Sequence, residues 1–177
     1  METIRFRTGG EPLFEAAMTL YESSFPIHEQ RTRRDQLRAM EQEDFFCTAA
    51  VEGDALVGLL WYWRFDGGIY VEHFAVAPQL RGAGHGSRIL AELCAHEPDT
   101  LLEIDPPVDE LSRRRLDFYT RLGFRMQPFA HVHPPYRKGF QRHELKVLTF
   151  ARDWMEAEYQ RFAAFLKKDV MSCSETV

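Results

Sequence analysis

The sequence is poor in cysteine, in net positive charge and in long apolar runs, and each shortage excludes a class of protein. Its three cysteines, Cys47, Cys94 and Cys173, are odd in number and far apart. That fits neither a disulfide framework nor a zinc site, so they read as free thiols of a reducing compartment. A formal net charge of -5 argues against general nucleic-acid binding, whose affinity comes from lysines and arginines set against phosphates. No apolar run approaches the ~20 residues that span a bilayer, and Met1-Glu2-Thr3-Ile4-Arg5 has no apolar signal core. A cytoplasmic protein with no membrane and no nucleic-acid partner is expected. Repeats and low-complexity tracts are missing too.

What the chain does have is core material, with 45% of its 177 residues hydrophobic, enough for one domain. Apolar periodicity predicts a strand over Ile4–Arg7, a helix over Glu11–Phe25 stopped by Pro26, and a surface helix over Arg31–Glu41. Strands are expected over Phe45–Val51, Ala55–Arg64 and Ile69–Val76, joined by Glu52-Gly53-Asp54 and Asp66-Gly67-Gly68 as an antiparallel meander. A helix from Ser87, closed by Pro98, and a strand over Leu101–Ile104 suggest a parallel crossover. Asp109 can cap a helix that Gly123 terminates. Phe124–Phe129 and Glu144–Phe150 read as a hairpin with a long loop between them, and Ala151–Lys168 as a last amphipathic helix. The order predicts an α+β fold with a mixed, mostly antiparallel central sheet flanked by helices, one domain over residues 1–168 and a frayed tail over 169–177. Trp154 and Phe165 on the last helix seal the core or, alternatively, meet a second copy in a homodimer. The basic runs at Arg31, Arg33 and Arg34 and at Arg113, Arg114 and Arg115 read as solvated faces.

The densest signal is Gln79-Leu80-Arg81-Gly82-Ala83-Gly84-His85-Gly86-Ser87, where the third meander strand gives way to a helix. Glycine lets backbone turn tightly and approach a ligand, while the first N–H groups of a helix have no partner inside it. With the helix dipole and Arg81 added, the junction suits an anion such as a diphosphate, although glycines also make ordinary strand-to-helix turns. There is no Gly-Lys-Ser/Thr ending and no G-x-G-x-x-G, so neither common nucleotide loop fits.

Val71-Glu72-His73-Phe74-Ala75-Val76-Ala77-Pro78 leading into Arg81-x-x-Gly84-x-Gly86, followed by Phe118-Tyr119-x-x-Leu122-Gly123-Phe124, resembles the GNAT superfamily of N-acetyltransferases across roughly Ile4 to Phe150. The resemblance implies a GNAT-like sheet and acetyl-CoA as cosubstrate. It implies that residues Arg81, Gly82, Ala83, Gly84, His85, Gly86 and Ser87 hold the pyrophosphate, and that the backbone of Phe74, Ala75 and Val76 pairs with pantetheine. Ser112 stands where the family commonly has an asparagine that contacts pantetheine.

The implied chemistry is acetyl transfer to a primary amine by direct attack in a ternary complex, the acceptor being a small molecule or a peptide. A CoA-binding interaction domain without catalysis is the competing reading. An amine with a pKa near lysine's, about 10.4, must lose a proton before it attacks, and a tyrosine can protonate the departing thiolate. Tyr119 is the candidate acid, with a core aromatic as the bland alternative. Glu103 and Glu72 compete as base, either being equally suited to a structural ion pair, and a water relay needs neither. Strand alternation places His73 on the opposite face from Glu72, as a third candidate. His131 and His133 lack a further ligand nearby, so no metal is expected and they read as bordering the acceptor pocket. The acceptor is expected against the early helices, the Arg64–Gly68 turn and the His131–Phe140 loop.

Overall fold

The computed structural model describes residues 1–176. Its elements run β1 (Glu2–Phe6), α1 (Phe14–Ser24), α2 (Arg33–Met40), β2 (Phe45–Glu52), β3 (Ala55–Phe65), β4 (Gly68–Val76), α3 (His85–His96), β5 (Thr100–Ile104), α4 (Glu110–Arg121), β6 (Phe124–Met126), β7 (His131–His133), β8 (His143–Phe150) and α5 (Glu156–Phe165). The sheet order is β1-β2-β3-β4-β5-β8-β6, with β7 also paired to β8. Every pairing is antiparallel except β4 with β5. The expected α+β architecture and its mixed sheet are therefore present. Among the described residues no helix is long and apolar enough to cross a membrane.

Helices cover both faces. On one, α1, α2, α5 and the segment after it close over Phe6, Tyr21, Trp61, Trp63 and Tyr70; on the other, α3 and α4 close over Ile69, Val71, Leu102 and Leu148. Trp61 and Trp63 are 0% and 2% exposed, and truncating an aromatic at such depth costs about 3–5 kcal/mol. Trp154 and Phe165 join this packing, against Phe65. Local signals set the ends of helices. Asp109 and Ser112 form a reciprocal cap at the start of α4, and Gly123 ends it at a φ of 99°. Gly58 lets β3 pass β4, because a Cβ there would lie 2.6 Å from the Ala75 carbonyl oxygen.

Two features of β4 shape the rest. Its parallel ladder with β5 covers only Ile69–Val71 against Thr100–Leu102, so the two strands part from Glu72 onward. Against β3, Tyr62 pairs with Val71 and Trp61 with His73, leaving Glu72 without an opposite residue. This is a β-bulge, and it cancels the alternation for one step.

The structure corrects several expectations. Arg31 precedes α2 instead of opening it, and its side chain is fully buried. α1 begins at Phe14 because the Glu11 carboxylate accepts from the Arg7 and Thr8 amides, both at 2.6 Å, and so holds the preceding turn. His131–His133, read as loop, is a short strand on β8. The last helix starts at Glu156, after a turn with Ala151 at a φ of 60°. The segment expected to fray is packed: the helical path continues through Leu166–Val170 and Met171–Cys173, and Val170, Met171, Cys173 and Ser174 are all buried. Only Val177 of that tail lies outside the described residues.

Candidate active site

The parting of β4 from β5 opens a cleft of about 620 Å³ through the middle of the molecule. Phe74, Ala75 and Val76 line it from β4, Leu102 to Ile104 from β5 with Asp105 just after it, and Phe118 and Tyr119 from α4. On the β3 side Phe74, Ala75 and Val76 pair with Leu60, Leu59 and Gly58. On the cleft side the ladder has ended, so this edge of β4 presents main-chain groups that an extended ligand can match as a further strand.

Arg81 also lines the cleft, its Nε donating to the Val76 carbonyl at 3.1 Å. Beyond it Gly82 and Gly84 both adopt a φ of 81°, a conformation that costs L-residues about 1–2 kcal/mol. The first bond inside α3 runs from the Arg88 amide to the Gly84 carbonyl at 3.1 Å. The His85, Gly86 and Ser87 amides ahead of it have no acceptor in the helix, which makes the α3 start an anion cradle. Gly86 packs close to the strand, since a Cβ there would meet Val76 and Phe74 at 3.3 and 3.4 Å. Ser112 does not line the cleft; its hydroxyl donates to Asp109 Oδ1 at 2.8 Å and serves the α4 cap.

Tyr119 is 8% exposed and faces the cleft. Its hydroxyl makes no hydrogen bond to any described residue, and burial pushes its pKa up to about 12, so it is an uncommitted O–H donor.

The two candidate carboxylates are differently employed. Glu72 accepts from Arg31 at 2.6 and 2.7 Å, from Trp63 Nε1 at 3.0 Å and from the Tyr136 hydroxyl at 2.6 Å. Burial pushes its carboxyl upward, but Arg31 and His73 outweigh that and hold it far below the usual carboxylate range. Glu72 is thus the partner of a buried ion pair and a poor proton acceptor. The bulge brings His73 Nδ1 within 3.7 Å of Glu72 Oε2, which overturns the opposite-face expectation; His73 Nε2 meets the Glu29 carbonyl at 2.9 Å. Glu103 accepts from the Tyr70 hydroxyl at 2.6 Å and pairs with His131 Nε2, with His133 Nε2 at 3.9 Å. Burial again opposes ionisation, and His133, His131 and Tyr70 together lower its pKa.

The half of the cleft away from the glycine loop is walled by Pro26, Glu29, His73, His133, Tyr136 and His143. Burial lowers the pKa of both His133 and His143, so both are neutral near pH 7. Tyr136 belongs to the His131–Phe140 loop expected against the acceptor, whereas Arg31 and His143 were not legible as site residues, because only tertiary packing brings them to Glu72 and to the cleft. The Arg64–Gly68 turn does not line the cleft: it sits at the start of β4, with Arg64 paired to Glu97 at 2.5 Å.

Comparison with known proteins bears on this geometry. The model of the acetyltransferase (GNAT) family matches residues 11–124. YjbC of Bacillus subtilis (strain 168), named as an acetyltransferase, is 32% identical over 104 residues, covering 57% of this chain and 52% of that protein. The chain thus spans about half the length of that curated relative. A solved structure from Bacteroides thetaiotaomicron, assigned to the GNAT acetyltransferases, is 28% identical with a TM-score of 0.89, covering 97% of this chain and 98% of its own. A GNAT acetyltransferase of Elizabethkingia anophelis, solved with acetyl-CoA bound, shares the fold at 13% identity with a TM-score of 0.56, over 84% of this chain and 96% of that one.

Proposed function

The chain belongs to the acetyltransferase (GNAT) family, and from that premise we propose that it moves an acetyl group from acetyl-CoA to a primary amine by direct attack in a ternary complex. The observation that carries this reading is the parting of β4 and β5 beside the uncommitted amides of α3 and the uncommitted hydroxyl of Tyr119. These residues fit acetyl-CoA: the amides of residues 85–87 and Arg81 would hold its pyrophosphate, and the open edge at Phe74–Val76 its pantetheine arm. When bound, it supplies a thioester whose carbonyl carbon is open to attack and whose sulfur leaves as a thiolate of pKa about 8.5. Tyr119 stays protonated at neutral pH and donates its hydrogen toward that sulfur.

The acceptor enters the other half of the cleft. Arg31 is matched by Glu72 and Arg115 by Asp105, which leaves Glu29 and Glu103 as carboxylates without an arginine partner, beside the neutral His133 and His143. A cavity of that balance draws in an ammonium group, and the proton it must shed leaves on the Glu103 side. The acceptor is a small molecule or the end of a peptide.

The test is thiol release from acetyl-CoA across a panel of amines, run beside thermal unfolding with acetyl-CoA, ATP or NAD. Amine-dependent release, with Tm raised by CoA esters alone, supports the proposal. A Tm rise without release under any amine leaves a binding module, and equal protection by ATP refutes the coenzyme assignment.

A further inference from the structure

His133 was expected only to border the acceptor pocket, yet it is 2% exposed, lines the cleft and sits in a network that is one hydrogen short. Its Nδ1 lies 2.5 Å from the Pro134 carbonyl oxygen, which can only accept, so Nδ1 carries the hydrogen and Nε2 the lone pair. That lone pair faces the Tyr136 hydroxyl at 3.2 Å, which also faces Glu72 Oε1 at 2.6 Å. The hydroxyl has one hydrogen for two gaps. Glu72 is ionised by Arg31 and offers none, so the chain Glu72, Tyr136, His133 holds one proton fewer than its contacts accommodate. Adding a proton at His133 Nε2 completes it: Tyr136 donates to Glu72, and the imidazolium donates to the Tyr136 oxygen, with Glu103 Oε2 at 3.9 Å to balance the new charge.

We propose that His133 is the catalytic base, taking the acceptor amine's proton on Nε2, with Tyr136 and Glu103 as the positioning residues that stabilise the resulting imidazolium. The inference rests on the amine-acetylating reading above. An acceptor arriving as R–NH3⁺ gives one proton to His133 Nε2, and the freed nitrogen pair forms the N–C bond to the acetyl carbon. The C–S bond breaks with its electron pair on sulfur, which takes the Tyr119 hydrogen. The second nitrogen proton restores Tyr119 through solvent, and His133 returns its own to solvent. The products are the amide, the thiol and one proton.

The charged and titratable groups around His133 agree with this role. Glu103 on β5, Glu72 on β4, His131 on β7, Tyr136 on the following loop and His143 on β8, whose ring centroid is 5.9 Å away, surround it. Burial keeps the ring neutral at rest, and Glu103 and Glu72 favour the charged form once it is made. Glu103 is less suited to take the proton directly, because its oxygens are already engaged by Tyr70 and His131.

The test is the pH dependence of kcat/KM for wild type and for His133→Gln, which keeps a polar atom near Nε2 but does not titrate there. The expected result is a fall of about 10²-fold or more at pH 7 and loss of the acidic limb, while acetyl-CoA still raises Tm. Nitrogen NMR of the wild-type imidazoles is the second readout, showing one ring that keeps its Nδ1 hydrogen and titrates at Nε2 below the free-histidine value. A variant that keeps both the rate and the acidic limb overturns the proposal, as does a ring protonated at Nδ1 and Nε2 throughout. Absence of amine-dependent release in wild type refutes the underlying function instead, while the NMR result still reports on the proton vacancy.

Discussion

Replacing Arg31 by methionine removes the guanidinium that pairs with Glu72. The guanidinium holds Glu72 at 2.6 and 2.7 Å and donates to the Cys173 and Val170 carbonyls at 2.9 and 3.2 Å, with both side chains of the pair 0% exposed. Taking one partner from a buried pair costs about 3–5 kcal/mol, and each abandoned carbonyl adds about 1 kcal/mol. The expected loss is about 5–7 kcal/mol, against a typical margin of about 5–15 kcal/mol. Urea unfolding at pH 7 measures it. The double variant Arg31→Met/Glu72→Gln is expected to be more stable than Arg31→Met alone, because the stranded charge is gone.

The pH dependence follows from the same pair. In wild type the folded pKa of Glu72 lies below its unfolded value of about 4.3, so its contribution is full above that pH and is lost as pH falls through the depressed folded value. In Arg31→Met the buried carboxyl loses its strongest cation, with His73 alone left beside it, and burial raises its folded pKa. Protonation then relieves the variant as pH falls through that raised value, and the gap between the two proteins narrows from pH 7 toward pH 4. A loss under about 1 kcal/mol, or a double variant no more stable than the single, would refute this account of Arg31.

Two further outcomes are expected. Tyr119→Phe lowers kcat by about 10²-fold while acetyl-CoA still raises Tm as in wild type; an unchanged kcat removes Tyr119 from the chemistry. Ending the chain after Phe165 deletes Leu166, Val170, Met171 and Cys173, all at most 3% exposed, at about 2 kcal/mol each. The truncated protein should be unfolded or strongly destabilised by circular dichroism, whereas a dispensable tail would leave its Tm in place.

The parts of the fold that were legible in sequence are those written locally. The meander strands, the Asp109 cap, the Gly123 stop and the glycine loop each carry their signal within a few residues, and each stands where expected. The missed parts depend on tertiary partners. Arg31 sits in a basic run that reads as surface, and only Glu72 and the carbonyls of a segment far along the chain bury it. The bulge at Glu72 has no sequence mark, so alternation put Glu72 and His73 on the wrong faces. The tail is short and partly polar, and its apolar residues find a core only because the last helix packs on β3 and carries the segment after it onto α2. For the site, Arg81 through Ser87 and Tyr119 were legible as a motif, while His133 and Tyr136 were legible only as members of a loop bordering the acceptor, and His143 carried no signal of its own. Glu103, a candidate base in the sequence, lines the cleft; its engagement with Tyr70 and His131 was not foreseeable.

The central claim is that the gap between β4 and β5 receives acetyl-CoA, with its pyrophosphate on the α3 amides and its sulfur beside Tyr119. A crystal structure with acetyl-CoA tests it most directly. The account predicts phosphate oxygens within hydrogen-bonding reach of the His85–Ser87 amides, the pantetheine arm along Phe74–Val76 and the Tyr119 hydroxyl in contact with the thioester sulfur. A coenzyme bound elsewhere, or a sulfur beyond the reach of Tyr119, would contradict it.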